Sequence, residues 1–123
     1  EINGKDAANL ISSGVVTVTE GANMPTSPDA VELFVSSGIL YGPGKAANAG
    51  GVAVSGLEMT QDSERLQWTR EQVDQKLQSI MRSIHATVST VAEEYGQPGN
   101  YVFGANVASF LRVATAMLDE DVV

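Results

Sequence analysis

The chain has 123 residues, of which 43% are hydrophobic and 18% charged, enough for one modest domain with a packed core. Fifteen acidic against seven basic side chains give a net charge of −8, which argues against nucleic-acid and anionic-lipid binders. The lack of cysteine excludes a disulfide framework and a thiolate nucleophile, and we expect no metal site. No apolar run reaches the ~20 residues of a membrane span, so we expect no membrane contact. The chain opens at Glu1 without a methionine, and we expect it to be part of a longer protein.

The first half of the chain predicts a strand–helix–strand unit. A short helix capped by Asn3 precedes five β-branched residues at 15–19, a run typical of a strand buried on both faces of a parallel sheet. Thr26 or Ser27 caps a second helix that has Pro28 at its first position, and residues 39–41 form a second strand. This order predicts two parallel strands joined by a helical crossover. Because a two-stranded parallel sheet does not stand alone, the chain is expected to be the C-terminal part of a larger doubly wound α/β domain.

The second half is predicted to be helical. Asn48 precedes a segment with three glycines within 49–56, each of which weakens a helix by roughly 1 kcal/mol, so close packing or a ligand is expected there. The longest helix follows a capping box formed by Thr69 and Gln72. Apolar residues repeat at three- and four-residue steps in this helix and in the last one: Val73, Leu77, Ile80, Met81, Ile84, Val88, Val91 and Tyr95, then Val107, Phe110, Leu111, Ala114, Met117 and Leu118.

Two glycine-containing loops, 21–26 and 42–51, follow the predicted strands at the edge where open α/β sheets bind ligands. If a helix begins near position 48, four residues share one of its faces: Asn48, Gly51, Val52 and Ser55. This face is suited to a small carboxylate at the start of the helix. The alternative is a helix packed closely against a neighbour, with Ser55 bonded to the carbonyl four residues before it.

Two longer motifs, EGANMPT at 20–26 and PGKAANAGGVAVS at 43–55, resemble segments of the hexameric bacterial glutamate dehydrogenases. Six shorter motifs continue the resemblance in order along the chain: Leu57-Glu58-Met59, Trp68-Thr69, Val73-Asp74, Ile84-His85-Ala86-Thr87, Gly104-Ala105-Asn106 and Ala116-Met117-Leu118. The resemblance implies the C-terminal part of a Rossmann-like dinucleotide-binding domain, with two short parallel strands followed by long helices.

The resemblance also implies an activity and the residues that serve it. The intact enzyme would interconvert L-glutamate with 2-oxoglutarate and ammonia, using a nicotinamide cofactor, NADP in preference to NAD. Ser55 would contact the side-chain carboxylate of glutamate, with Gly51 and Val52 lining the same pocket. Asn48 would lie beside substrate and cofactor, and Asn23 near the nicotinamide ribose. No catalytic residue is expected in this chain, because the family's catalytic lysine and aspartate have no counterpart in it, and the 123 residues alone are expected to be inactive.

The same resemblance divides the chain into three segments. Residues 1–47 would be the last strand–helix–strand part of the cofactor-binding domain, 48–68 a substrate-contacting helix and loop, and 69–123 the helices that close the domain. The intact protein would be a cytoplasmic homohexamer whose N-terminal part is not in this sequence.

Two other functions stay open at this point. A leucine-, valine- or phenylalanine-type dehydrogenase shares the fold, although the hydroxyl of Ser55 does not suit its apolar side-chain pocket. The isolated chain could also be a non-catalytic module that binds a partner through its helices. Lys45 is interpreted as a solvated loop lysine rather than a replacement base, and His85 as a surface or half-buried helix residue rather than a metal ligand.

Overall fold

The computed structural model describes residues 1–122, which form six helices and two strands. In chain order they are α1 (Gly4–Ser12), β1 (Thr17–Thr19), α2 (Pro28–Ser36), β2 (Leu40–Gly42), α3 (Gly44–Ala47), α4 (Ala49–Glu64), α5 (Arg70–Glu94) and α6 (Tyr101–Asp119). β1 and β2 pair in parallel. The predicted α/β class and the strand–helix–strand unit are confirmed.

The core lies where α1 and α2 pack on one another and on the sheet. Its fully or almost fully buried members are Ala7, Ala30, Phe34 and Tyr41. The rings of Phe34 and Tyr41 stack with their centroids 5.7 Å apart. Burying a side chain as large as Phe34 contributes about 1.5–3 kcal/mol, so this cluster fixes β2 against α2.

β1 is shorter and more exposed than predicted. The strand begins at Thr17, and Val16 before it has 77% of its surface exposed. Within residues 1–122, β1 pairs with β2 alone, so its other edge has no strand beside it. The prediction of a strand buried on both faces is therefore wrong for this chain taken by itself.

The segment 42–51 also differs from the prediction, because a single-turn helix, α3, lies within it. Asn48 is the residue between α3 and α4, with helical backbone angles of φ −89° and ψ 0°, and its side chain does not cap α4. The predicted segment boundaries fall at the α3–α4 junction and just before α5. The division into three functional segments stays a prediction.

Side-chain caps begin two helices where the sequence predicts them. The Asn3 side chain accepts hydrogen bonds from the first turn of α1, and Thr69 and Gln72 form the capping box of α5. α6 begins after Asn100, whose Oδ1 accepts from the Phe103 amide at 3.0 Å. The sequence does not predict this last cap, because the apolar pattern alone places the helix only from Val107 onward.

α5 and α6 pack against one another and come into close contact at Gly104. A Cβ atom on Gly104 would lie 2.2 Å from the Val88 carbonyl oxygen and 3.1 Å from the Ala92 Cβ. Val88, Ala92 and Ala105 are buried beside it. Only glycine allows the two backbones to approach this closely.

α6 is the one helix within residues 1–122 that is long and apolar enough to cross a membrane by length and composition alone. Its 18-residue window has a mean hydropathy of 1.3, and 11% of that window is buried in the structure. Helices of proteins without membrane spans pass the same test, so this property gives weak support for a span.

Replacing Gly104 by alanine is expected to destabilise the protein. The new methyl group would overlap the Val88 carbonyl, and overpacking of this kind costs about 1–3 kcal/mol, more than the roughly 1 kcal/mol of helix propensity that alanine gains. Gly56→Ala is the control, because Gly56 is also helical but its added Cβ would meet nothing within 4 Å. Urea unfolding should show a lower free energy of unfolding for Gly104→Ala than for the wild type, and no decrease for Gly56→Ala. Equal stability of the two variants would contradict the close approach.

Candidate functional site

The loops that follow β1 and β2 meet at one edge of the sheet, as expected for parallel strands. The Asn48 Nδ2 donates a hydrogen bond to the Ala22 carbonyl oxygen at 3.1 Å. Ala22 is the neighbour of Asn23, so this bond joins the segments that carry the two asparagines predicted at the cofactor. Asn23 itself is exposed.

Glu20 connects the same two loops from inside the protein. The residue follows β1 directly and is only 7% exposed. Its carboxylate accepts hydrogen bonds from the Tyr41 hydroxyl and from the backbone N–H of Gly44. A Cβ on Gly44 would lie 2.7 Å from the Ala22 carbonyl oxygen, so the loops approach as closely as glycine permits.

The N–H at the start of α3 is thus already occupied by a side chain of the protein. Gly42 ends β2 and Gly44 opens α3, and this glycine-x-glycine spacing is also found at nucleotide phosphates. Because the Gly44 N–H donates to Glu20, this turn holds an internal carboxylate. The Gly44 N–H is therefore not free to bind a phosphate.

Burial raises the pKa of Glu20, but hydrogen bonds, those from Tyr41 and Gly44 foremost, outweigh burial and leave this pKa below its ordinary value of 4.5. Burial and the hydrogen bond to Glu20 raise the pKa of Tyr41 to about 12. At neutral pH the carboxylate is therefore ionised and the phenol protonated. The pair acts as a fixed acceptor and donor and not as a proton-transfer couple.

The predicted ligand face of α4 is open to solvent in residues 1–122. Gly51, Val52 and Ser55 are all exposed, Val52 to 78%. The Ser55 hydroxyl donates to the Gly51 carbonyl at 3.4 Å, a long hydrogen bond that a better acceptor can replace. α4 contacts α5 at Gly50, where an added Cβ would make ordinary van der Waals contact at 3.6 Å.

Asn48 precedes α4, as predicted, and its Nδ2 donates to the Ala22 carbonyl oxygen. The structure places Asn48 beside the loop of Asn23, and Gly51, Val52 and Ser55 along the exposed side of α4. Their roles as ligand contacts stay predictions.

An apolar cleft among the described residues lies elsewhere. It has a volume of about 260 Å³ and lies between the strand ends and the α5–α6 pair. Its lining is Thr19, Leu40, Gly42, Pro43, Ala46, Ala47, Met81, Ile84, His85, Val88 and Tyr101, none of which is a predicted site residue. A carboxylate bound to α4 therefore needs a further wall, from outside these residues, to exclude water.

Lys45 and His85 have structural partners. The Lys45 ammonium donates to the Asn106 side chain, which ties α3 to α6. The His85 Nε2 lies 3.2 Å from the Tyr101 hydroxyl. Across residues 1–122, no three side chains of the metal-ligating types converge on a common point.

The sequence reasoning misses Glu20, Tyr41 and Gly44 as site-forming residues. By pattern, Glu20 belongs to a turn and Tyr41 to a strand. One signal in the sequence could have identified Glu20. A carboxylate directly after a β-branched run and directly before a glycine lies where a strand enters a loop, a position that a solvent-exposed charge does not require.

With its parallel strands and paired loops, the chain matches the family described as Glutamate/Leucine/Phenylalanine/Valine dehydrogenase over residues 1–120, and it belongs to that family. Among curated relatives, the NADP-specific glutamate dehydrogenase of Giardia intestinalis is 53% identical over 123 residues, which are 100% of this chain and 27% of that protein. The NADP-specific glutamate dehydrogenase of Escherichia coli (strain K12) is 55% identical over 119 residues, 96% of this chain and 26% of that protein. The chain thus spans about a quarter of the length of these relatives.

Solved structures agree. The crystal structure of Plasmodium falciparum glutamate dehydrogenase superimposes with a TM-score of 0.93 at 47% identity, covering 97% of this chain and 26% of that one. Glutamate dehydrogenase from Peptoniphilus asaccharolyticus gives a TM-score of 0.77 at 28% identity, covering 94% of this chain and 29% of that one. The predicted resemblance and the α/β dinucleotide-binding fold are confirmed.

Glu20→Gln is expected to change how stability depends on pH. The pKa of Glu20 in the folded protein lies below its ordinary value of 4.5, so its stabilising contribution is present above pH 4.5 and is lost as the pH falls below it. The free energy of unfolding, measured with urea, should therefore fall more steeply below pH 4.5 for the wild type than for Glu20→Gln. Glu32→Gln, at an exposed position of α2, controls for the loss of one carboxylate. A slope unchanged by Glu20→Gln would contradict the hydrogen-bonded carboxylate.

Proposed function

We propose that the protein containing this chain is a glutamate dehydrogenase that converts L-glutamate reversibly to 2-oxoglutarate and ammonia with a nicotinamide cofactor, NADP in preference to NAD. The observation that carries the proposal is the hydrogen bond from Asn48 to Ala22, which joins the predicted cofactor loop to the helix predicted to contact substrate. The names of the relatives support it, although they include an NAD-specific glutamate dehydrogenase of Bacteroides fragilis at 48% identity.

Ser55 would bind the side-chain carboxylate of glutamate. Its hydroxyl already points along α4 in a long hydrogen bond, and exchanging the Gly51 carbonyl for a carboxylate oxygen gives a stronger, charge-assisted bond. Gly51 leaves the helix surface bare, and Val52 supplies an exposed apolar contact for the methylene groups. An apolar amino acid would gain nothing from the hydroxyl, so the leucine, valine and phenylalanine activities are not favoured.

The nicotinamide cofactor, when bound, accepts or donates the hydride. Asn23 and Asn48 would hold its nicotinamide end. Their placement suits this role, because the Asn23 side chain is exposed on a loop that is fixed at Ala22. The family resemblance places the phosphate-binding glycines outside this chain, and within it the Gly44 N–H already donates to Glu20.

The rest of the protein would supply the catalytic groups and the missing wall of the site. The outer edge of β1 is unpaired within residues 1–122, and Val16 beside it is 77% exposed. Phe110, Val113 and Leu118 of α6 are exposed by 60% or more. These apolar surfaces are suited to burial against the rest of a longer protein. In the relatives, that remaining part is about three times as long as this chain. Assembly as a homohexamer in the cytoplasm is supported by the family resemblance.

The activity is tested with the full-length protein by following reduction of NADP⁺ and NAD⁺ with glutamate, leucine, valine and phenylalanine in turn. Reduction that depends on glutamate, faster with NADP⁺, is the expected result. Reduction with leucine, valine or phenylalanine but not with glutamate would contradict the proposal and indicate the apolar amino acid dehydrogenase activity instead. No reduction with any of the four would contradict the proposal. For the isolated chain, titration with dinucleotide and glutamate separates a retained site from a non-catalytic module, which would bind neither.

Ser55→Val in the full-length protein is expected to lower kcat/KM for glutamate, because the carboxylate loses a hydrogen bond. The corresponding activation free energy should rise by about 1–3 kcal/mol. Ser63→Val is a matched control on the same helix, since the Ser63 hydroxyl also bonds the carbonyl four residues before it, at 2.8 Å. Steady-state kinetics should leave the control near wild type. Unchanged glutamate kinetics in Ser55→Val would remove Ser55 from the site.

A further inference from the structure

We propose that Glu20 is a positioning residue for this reaction: its buried carboxylate fixes the loop of Asn23 against the turn that leads into Asn48 and α4. The inference rests on the proposed function and extends it to a residue that touches neither substrate nor cofactor. It assigns to Glu20 the role of holding in place both the loop of Asn23 and the segment of Asn48, the two parts of the predicted ligand site.

The carboxylate is held relative to the core. One of its oxygens, Oε1, accepts from the hydroxyl of Tyr41, and the Tyr41 ring is buried in a stack with Phe34. The other oxygen, Oε2, accepts from the Gly44 N–H. Glu20 thus joins β2 and the start of α3 to its own loop. Both carboxylate oxygens accept hydrogen bonds in the buried interior, where such bonds are strong.

The loops have little room to shift. A Cβ on Gly44 would lie 2.7 Å from the Ala22 carbonyl oxygen and 3.0 Å from the Glu20 Oε2. The same Ala22 carbonyl accepts from Asn48 at 3.1 Å. If the carboxylate is removed, the Gly44 N–H loses its buried partner, and a buried donor without a partner drives local rearrangement.

Loss of Glu20 should therefore act on two ligands at once. A residue that contacts one ligand changes the KM for that ligand, whereas a shared support changes the KM for glutamate and the KM for NADP together. Glutamine can preserve the support, because its carbonyl oxygen accepts from the Gly44 N–H while its amide donates to the Tyr41 hydroxyl oxygen.

The test compares Glu20→Ala, Glu20→Gln and Tyr41→Phe in the full-length protein with Leu10→Ala, a partly buried α1 variant that removes packing against the hydrophobic cluster and none of the hydrogen bonds of Glu20. Three readouts are taken below the melting temperature of every variant. They are kcat and KM for glutamate and NADP⁺, the Kd of NADPH from its fluorescence, and amide hydrogen exchange in peptides spanning 20–27 and 43–48.

Glu20→Ala is expected to lower kcat/KM by about tenfold or more, to raise both KM values and the NADPH Kd, and to speed exchange in both peptides, with Glu20→Gln within about threefold of wild type. Tyr41→Phe, which keeps the fold and removes one donor, should change the same quantities less. Leu10→Ala should lower the melting temperature and leave both KM values unchanged.

Three results would overturn the positioning role: a Glu20→Ala variant that loses only stability, like Leu10→Ala; a change confined to one ligand; or exchange unchanged in both peptides. If Glu20→Ala does not fold, unchanged kinetics and exchange in Tyr41→Phe would overturn it as well. A wild-type protein without glutamate-dependent turnover would instead defeat the proposed function, and exchange in the variants would still decide whether Glu20 holds the loops.

Discussion

The parallel pairing of β1 with β2 is the constraint on which the candidate site depends. In this register Thr19 lies opposite Gly42, so the next residue on one strand, Glu20, meets the turn that follows the other. A slip of one residue would direct Glu20 to the other face of the sheet, away from Gly44 and Tyr41. The loops of Asn23 and Asn48 would then have no common support. A three-residue ladder thereby determines where two ligand loops lie.

Local chemistry explains which parts of the fold could be predicted. Asn3 caps α1, and Thr69 with Gln72 caps α5, because a side chain next to a helix start satisfies amides within its own turn. The β-branched run and the second apolar run were enough to predict parallel strands. The burial of β1 was not predictable in this way, since burial depends on what lies beside a strand and not on the residues within it.

The site divides along the same line. The sequence located both loops and the α4 face, because glycine and asparagine after a strand are a local pattern. It could not locate the partner of Glu20, since Tyr41 is 21 positions away and only folding brings the two together. It also placed Asn48 at a helix start without showing that its Nδ2 donates to the Ala22 carbonyl oxygen. Contacts between distant segments were the information that the pattern lacked.

The edge of β1 that has no partner strand within residues 1–122 has a consequence for handling the chain on its own. Unpaired strand edges beside exposed valines are templates for pairing with other copies, and at neutral pH the net charge of −8 opposes such contacts by repulsion. That repulsion fades as the solution approaches the isoelectric point near 4.4. Colloidal stability of the isolated chain is therefore lowest in mild acid, where neighbouring chains can add to the sheet edge and grow into aggregates.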